Sequence, residues 1–311
     1  MLILINVIII LIAGGSMSRI LIIGAAGLLG SRLMNIGKSK HEMHGTYKEN
    51  KQKGSNMHYL DITRRGDVFS LLEKVKPDCV IDTAAITGVD YCETHQEESW
   101  LVNVEGTRNA AEACKRTGSK MIFLSTDYVF DGRKLYYTEK DKPRPLNYYA
   151  KTKLISEHVL EALDVNYIVA RTAVLYGAGG LGKTTFVSWV IGKLSKKESI
   201  SIVTDQHNNP TYADSLAEIL LGLYRKDANG IFHVTGPDCM SRYEFAKRIA
   251  EVFDLDSKLI HPTTTPELNQ IAPRPEKVFM VTNKVERITG MKPVGVKEGL
   301  ERLKKQLGMR E

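Results

Sequence analysis

The sequence predicts an α/β protein built on a doubly wound parallel sheet, with a smaller, mostly helical substrate-side region following it. Three observations carry that expectation. Short apolar runs alternate with helix-length stretches from Arg19 to Arg171. The first run ends in a glycine turn, Gly24-Ala25-Ala26-Gly27-Leu28-Leu29-Gly30, that opens the first helix. Later runs close on small or polar residues, and open α/β sheets bind ligands at those carboxyl ends.

Arg19 to Ile23 is short, apolar and ends at glycine, which reads as a buried parallel strand. Leu28 to Ile36 reads as the first helix. Met43 to Tyr47 and Met57 to Leu60 read as the second and third strands, and Asp67 to Lys74 as a helix. Cys79 to Ala84 is the fourth strand, because Val80 and Ile81 sit between Pro77-Asp78 and small residues. Glu98 to Arg116 forms one long helix, and Lys120 to Leu124 the fifth strand, ending at Ser125-Thr126-Asp127. Asn147 to Leu163 is helical, and Asn166 to Arg171 is the sixth strand. Beyond residue 177 the rhythm loosens. Helices are expected at Thr184 to Leu194, Tyr212 to Tyr224, Ser241 to Phe253 and Val296 to Leu307, with five prolines between Pro262 and Pro293. The chain therefore divides into a dinucleotide-binding domain, 17–176, and a substrate-side region, 177–311, some of whose late strands return to the sheet.

The 311 residues suffice for one large domain or two unequal ones. A charge of +7 suits anionic ligands such as dinucleotides and nucleotide-sugars. The lysines are scattered, with no basic stripe interleaved with aromatics, so nucleic acid is not an expected partner. The four cysteines form no CxxC pair and no histidine cluster has metal-ligand spacing. Reduced, structural thiols in a cytoplasmic protein follow, and no histidine is assigned to catalysis. The apolar run from Leu2 to Ala13 is shorter than the roughly 20 residues of a membrane span, and no Lys or Arg precedes it as in a signal peptide. Met17 reads as the natural start and residues 1–16 as a spurious extension; no membrane association is expected.

In the glycine turn, Gly24 allows the tight bend, Gly27 lets backbone approach a pyrophosphate, and Gly30 lets the helix pack on the sheet. Leu28 and Leu29 begin the helix that faces the phosphates. The spacing is G-x-x-G-x-x-G rather than G-x-G-x-x-G, and its place between first strand and first helix marks a Rossmann-type nucleotide site. Asp61-Ile62 ends the third strand, where a carboxylate can meet the adenine amino group. The second strand ends in Gly45-Thr46-Tyr47-Lys48, without the acid that NAD-preferring folds place on the ribose. With Lys51 and Lys53 beyond, this favours the 2′-phosphate of NADP over NAD.

Four Tyr-x-x-x-Lys pairs occur, at Tyr47/Lys51, Tyr136/Lys140, Tyr149/Lys153 and Tyr243/Lys247. Only Tyr149/Lys153 follows the fifth strand on a helix that can face the cofactor, with both side chains on one face. A free phenol titrates near 10. A lysine cation about 4 Å away, at an effective dielectric of about 20, is worth roughly 4 kcal/mol, enough to bring that phenol toward neutrality. Thr126 can hydrogen-bond the reacting oxygen and hold it against Tyr149. The three residues are the candidate catalytic set for moving a hydride to or from a sugar-like carbinol carbon.

These residues resemble the extended short-chain dehydrogenase/reductase superfamily, and more narrowly the dTDP-4-dehydrorhamnose reductases. The resemblance rests on Ser125-Thr126-Asp127-Tyr128-Val129-Phe130-Asp131-Gly132, Pro145 to Lys153 and Ala84-Ala85-Ile86-Thr87-Gly88-Val89-Asp90. Arg171-Thr172, Leu175-Tyr176-Gly177, Asp205-Gln206, Pro210-Thr211 and Arg274-Pro275 continue it, so that it spans Arg19 to Leu307. It implies that Tyr149 gives a proton to the C4 oxygen of a nucleotide-sugar while NADPH delivers hydride to C4. It also implies that Lys153 binds the nicotinamide ribose, with Ala84, Ala85 and Asn103 among the cofactor contacts. Thr87, Val89, Asp127, Tyr128, Val174 and Arg274 would face the sugar. Bacterial members form metal-bridged dimers; a homodimer and Mg²⁺ stay open, since no ligand set for the metal is located. The family often carries Trp where this chain has Val174, which leaves the exact sugar open.

Rival readings are weaker in specific ways. A 4,6-dehydratase needs Asp-Glu after the threonine, whereas Tyr128 follows Asp127 here. An epimerase-reductase of the fucose type wants an active-site cysteine, and none lies between Cys114 and Cys239. The regulatory subunit of methionine adenosyltransferase shares the same motifs and is the alternative: an NADP-binding module acting through its partner. Gly177 to Thr184 also satisfies the phosphate-loop pattern G-x-x-x-x-G-K-T. It follows the sixth strand of a sheet whose first turn already holds a dinucleotide, and no second acidic strand end offers itself for Mg²⁺. It is read as a flexible glycine loop bordering the substrate cleft.

Overall fold

The computed structural model describes residues 17–51, 54–181 and 184–309. The segment 1–16, Lys53 and the Gly182-Lys183 part of the phosphate-loop pattern lie outside the described residues. Six strands open the chain: β1 (Arg19–Ile23), β2 (Glu42–Tyr47), β3 (Met57–Tyr59), β4 (Cys79–Asp82), β5 (Lys120–Thr126) and β6 (Tyr167–Thr172). They are followed by β7 (Leu175–Tyr176), β8 (Ile200–Val203), β9 (His207–Asn208), β10 (Thr211–Tyr212), β11 (Gly230–His233), β12 (Met240–Ser241) and β13 (Ile260–Thr263).

Seven of them form one sheet in the order β11-β6-β5-β4-β1-β2-β3. Every neighbouring pair is parallel. The order reverses between β1 and β4, which opens a crevice at their carboxyl ends. β4 and β5 are buried along their whole length and β1 beyond Arg19, with apolar centres, because helices cover both faces. One face packs on the helices Leu28–Gly37 and Ala213–Arg225, the other on Arg65–Val75, Thr107–Thr117 and Tyr148–Ala162. Bidentate bonds from Arg32 to Asp214, 2.5 and 2.8 Å, tie the first two helices together. Three two-stranded ribbons, β7–β10, β8–β13 and β9–β12, and the helices Phe186–Ser195, Arg242–Val252 and Val296–Gln306 surround a separate core over the carboxyl edge.

The long helix expected over Glu98 to Arg116 is instead a composite. Gln96–Trp100 and Thr107–Thr117 are α-helical, and Leu101–Gly106 between them is a π-turn. A Cβ at Gly106 would lie 2.7 Å from Ile62 Cγ2, so the widened turn passes closely over the end of β3. The segment Val89–Thr94, not expected as helix, is a short one. Among the described residues, no helix is long and apolar enough to cross a membrane.

Candidate active site

The glycine turn is built by its neighbours. Gly24, at φ +85°, receives support on both sides: its N–H donates to Thr46 Oγ1 at 3.1 Å, and Thr83 Oγ1 donates to Ile23 O at 2.8 Å. Gly27 N–H closes the turn onto Gly24 O at 3.0 Å. At Gly30 a Cβ would stand 2.3 Å from Gly24 O and 2.7 Å from Ala25 Cα, so only glycine lets the helix start this close to the strand.

From this turn a cleft of about 670 Å³ runs across the carboxyl edge of the sheet, a volume in the range of cofactor and ligand sites. Gly24, Gly27, Leu28, Leu29, Lys48, Ala84 and Ala85 line it, and so do Thr126, Tyr149 and Lys153. Thr87, Val89, Asp127, Tyr128 and Val174 continue the same wall. Residues separated by some 150 positions thus share one space.

Thr126 ends β5 and caps the turn that follows: its Oγ1 accepts from Tyr128 N at 3.2 Å and donates to Asp127 Oδ1 at 3.1 Å. Asp127 is buried, and Asn208 Nδ2 donates to its other oxygen at 2.5 Å. Burial pushes its carboxyl up to about 6 despite the Arg242 charge and those hydrogen bonds. Asn147 caps the helix Tyr148–Ala162 by accepting from Ala150 N at 2.9 Å, which fixes where Tyr149 and Lys153 emerge.

The electrostatics differ from the sequence expectation. Burial pushes the Tyr149 phenol well above its ordinary value; the hydrogen bond with Thr126 opposes this without reversing it. Lys153 is 3% exposed, with Nζ 4.0 Å above the Phe123 ring. Burial lowers its ammonium to about 8, while Asp82 and Glu157 pull it back up. Desolvation is the largest influence on each group in this pocket. The phenol is therefore fully protonated at neutral pH rather than half ionised.

Five sequence candidates stand outside the cleft lining. Gly30 lies beneath the turn. Asp61 spends its carboxylate on Thr63, through N–H at 3.1 Å and Oγ1 at 2.7 Å, and on Lys48 Nζ at 3.0 Å. Burial opposes its ionisation, yet these partners hold it below the usual carboxylate range. Ile62 is buried against Gly106. Asn103, in the π-turn, accepts from Ile86 N at 2.9 Å and donates to Ile86 O and Thr152 Oγ1, both at 3.1 Å. It braces the loop after β4 against the Tyr149 helix. Arg274 grips Asp90 with bonds of 2.6 and 2.9 Å and clamps the late chain onto Val89–Thr94.

Sequence reasoning missed several lining residues. Glu49 and Asn50, just past β2, face the cleft, so the end of that strand is not free of acid. The glycine loop, expected at the border of the cleft, lines it through Gly179, Gly180 and Leu181. Leu181 N–H donates to Ala26 O at 2.8 Å, which lays this loop directly on the glycine turn. Thr184, Thr185 and Arg242 complete the far wall. Val174, in the cleft lining just past β6, adopts φ +42°, a strained conformation for a β-branched residue.

The RmlD substrate binding domain family model matches residues 17–309. A dTDP-4-dehydrorhamnose reductase from Aggregatibacter actinomycetemcomitans is 32% identical over 302 residues, 93% of this chain and 99% of that protein. The crystal structure of dTDP-4-dehydrorhamnose reductase from Bacillus anthracis in complex with NADP superposes with a TM-score of 0.85 at 30% identity. The match covers 94% of this chain and all of that one. The methionine adenosyltransferase 2 subunit beta of Xenopus tropicalis is 31% identical over 294 residues, 91% of this chain and 87% of that protein.

Proposed function

Because this chain belongs to the RmlD substrate binding domain family, we propose that it reduces the C4 keto group of dTDP-4-dehydro-L-rhamnose, or of a closely related nucleotide-4-keto-sugar, at the expense of NADPH. The observation that carries this reading is the continuous cleft joining the glycine turn to Thr126, Tyr149 and Lys153. Its dinucleotide end fits the cofactor. Gly24 and Gly27 line it with bare backbone at a helix start, where phosphates would be held, and Lys48 and Ala84-Ala85 line the same cleft. The NADP complex of the Bacillus anthracis relative supports NADP as that cofactor. When bound, the dinucleotide supplies the hydride.

The chain's own residues handle the proton. Tyr149 carries it at neutral pH and gives it to the carbonyl oxygen as C4 becomes tetrahedral, leaving a phenolate. The Lys153 ammonium stabilises that charge as it forms, and the Thr126 hydroxyl joins it by turning its one hydrogen from Asp127 to the phenol oxygen, in a pocket of low polarity where such contacts are strong. Thr87, Val89, Tyr128 and Val174 shape the sugar end.

The test is NADPH oxidation with dTDP-4-dehydro-6-deoxy-L-mannose, against UDP- and GDP-keto sugars and against NADH. Tyr149→Phe is expected to remove turnover by at least about 10²-fold while leaving NADPH binding within a factor of about two. Unchanged turnover in that variant contradicts the assignment. The likeness to methionine adenosyltransferase 2 subunit beta favours a second reading, a dinucleotide-binding regulatory module. Co-purification with a synthetase, without turnover of any keto-sugar, would select it.

A further inference from the structure

We propose that Arg242 is a substrate-positioning residue, the cation that takes the diphosphate of the nucleotide-sugar. The inference deepens the reductase reading and rests on it. Among the described residues lining the cleft, positive charge is carried by Lys48, Lys153 and Arg242. Lys48 is paired with Asp61 at the dinucleotide end. Lys153 is buried beside the reacting phenol. Arg242 is the remaining one and lines the cleft beside Asp127 and Tyr128.

Its placement is built rather than incidental. Arg242 opens the helix Arg242–Val252 immediately after β12, and β12 pairs with β9, whose Asn208 holds Asp127. Its N–H donates to Gln206 O at 3.0 Å, its guanidinium lies 5.4 Å from the Phe186 ring centroid, and its charge acts on the Tyr128 phenol. The helix start itself is not the anion site. Ser241 and Glu244 form a capping box that occupies its donors and adds a carboxylate there. Nor does Asp127 use up the guanidinium: Thr126 and Asn208 hold its carboxylate, and no ion pair joins Asp127 to Arg242 among the described residues. A guanidinium in a cleft, without a paired carboxylate among the described residues, retains donors in the forked geometry that matches phosphate oxygens. The ligand class is a nucleoside diphosphate attached to a sugar, entering opposite the dinucleotide.

The experiment is calorimetric titration of the full chain with dTDP and, separately, with NADP⁺, on wild type, Arg242→Gln and Arg242→Lys. The Gln variant is expected to lose at least about tenfold in dTDP affinity, as removal of a charged hydrogen-bond partner implies. NADP⁺ affinity stays within about twofold, and Lys, which keeps the charge but not the fork, recovers part of the loss. In turnover, the Gln variant raises KM for the keto-sugar far more than it lowers kcat. Equal dTDP affinity in wild type and Arg242→Gln, an equal loss for NADP⁺, or a fall in kcat at unchanged KM overturns the role of Arg242 while leaving the reductase reading standing. A wild type that neither binds dTDP nor turns over a keto-sugar overturns both.

Discussion

Tyr149 and Lys153 divide one proton problem between them. A phenol raised by burial is a reservoir: it holds its proton at neutral pH and releases it only against a strong local stabiliser. Lys153 is that stabiliser only while charged, and burial places its titration at about 8. The sign follows directly. Burial favours the neutral amine, so the ammonium is present below about 8 and disappears above it. Reductive kcat/KM is therefore expected to fall as pH rises through about 8. Lys153→Met should be slower by at least about 10²-fold and should lack that limb; Lys153→Arg, charged throughout, should move it to higher pH. A flat profile from pH 7 to 10 in the wild type would remove Lys153 from the mechanism. The pair was legible in the sequence because, of four such spacings, only this one follows the fifth strand on a helix that can face the cofactor. Arg242 was not, because it reaches Asp127 through the β9–β12 pairing of residues more than 30 positions apart. Asn103 and Arg274 show the converse: a motif position names a residue, while only its partners tell whether it faces ligand or braces the wall.

The glycine loop after β7 is an element whose sequence pattern suggests one chemistry and whose packing suggests another. Gly180 sits at φ +76°, and a Cβ there would lie 2.6 Å from Leu28 N, 2.8 Å from Leu28 Cα and 3.0 Å from Gly27 C. All of these are backbone atoms of the first glycine turn, so none can swing away. The loop is thus a clasp over the turn, held by the Leu181–Ala26 hydrogen bond, and its glycines serve backbone contact with another loop. Gly180→Ala must either open the clasp or strain it by roughly 1–3 kcal/mol. Dinucleotide affinity is expected to drop about tenfold or more, read by NADPH fluorescence titration, with thermal stability lowered by no more than that strain. Undiminished affinity would mean that the clasp has no part in holding the cofactor. The main strands and helices were legible because each is a run of apolar residues with its own period. The π-turn at Leu101–Gly106 was not, since it arises from the approach of Gly106 to Ile62 and from the Asn103 brace, both contacts across the fold.

At the scale of the whole molecule, a buried ion pair among the described residues ties the helix that bears the phenol to the central sheet. Arg171, in β6, lies between Ser125 of β5 and His233 of β11. It donates to Glu157 through Nε at 3.0 Å and Nη2 at 2.6 Å, and the two side chains are only 2% and 3% exposed. Ser125 Oγ donates to the same carboxylate at 2.5 Å. Glu157 stands one turn beyond Lys153, so this pair fixes the helix bearing the phenol to three adjacent strands and thereby to the glycine turn. Such pairs add little net stability over an apolar replacement, yet losing one partner strands a buried charge. Arg171→Met is accordingly expected to cost about 3–5 kcal/mol in urea unfolding. Arg171→Met with Glu157→Leu should recover most of that, because no charge is left unpaired. The double variant separates holding the chain together from holding the phenol in place. If stability returns but turnover does not, the pair serves to register Tyr149 against Thr126. If both return, apolar packing alone suffices to align them, and the ion pair is dispensable to the reaction.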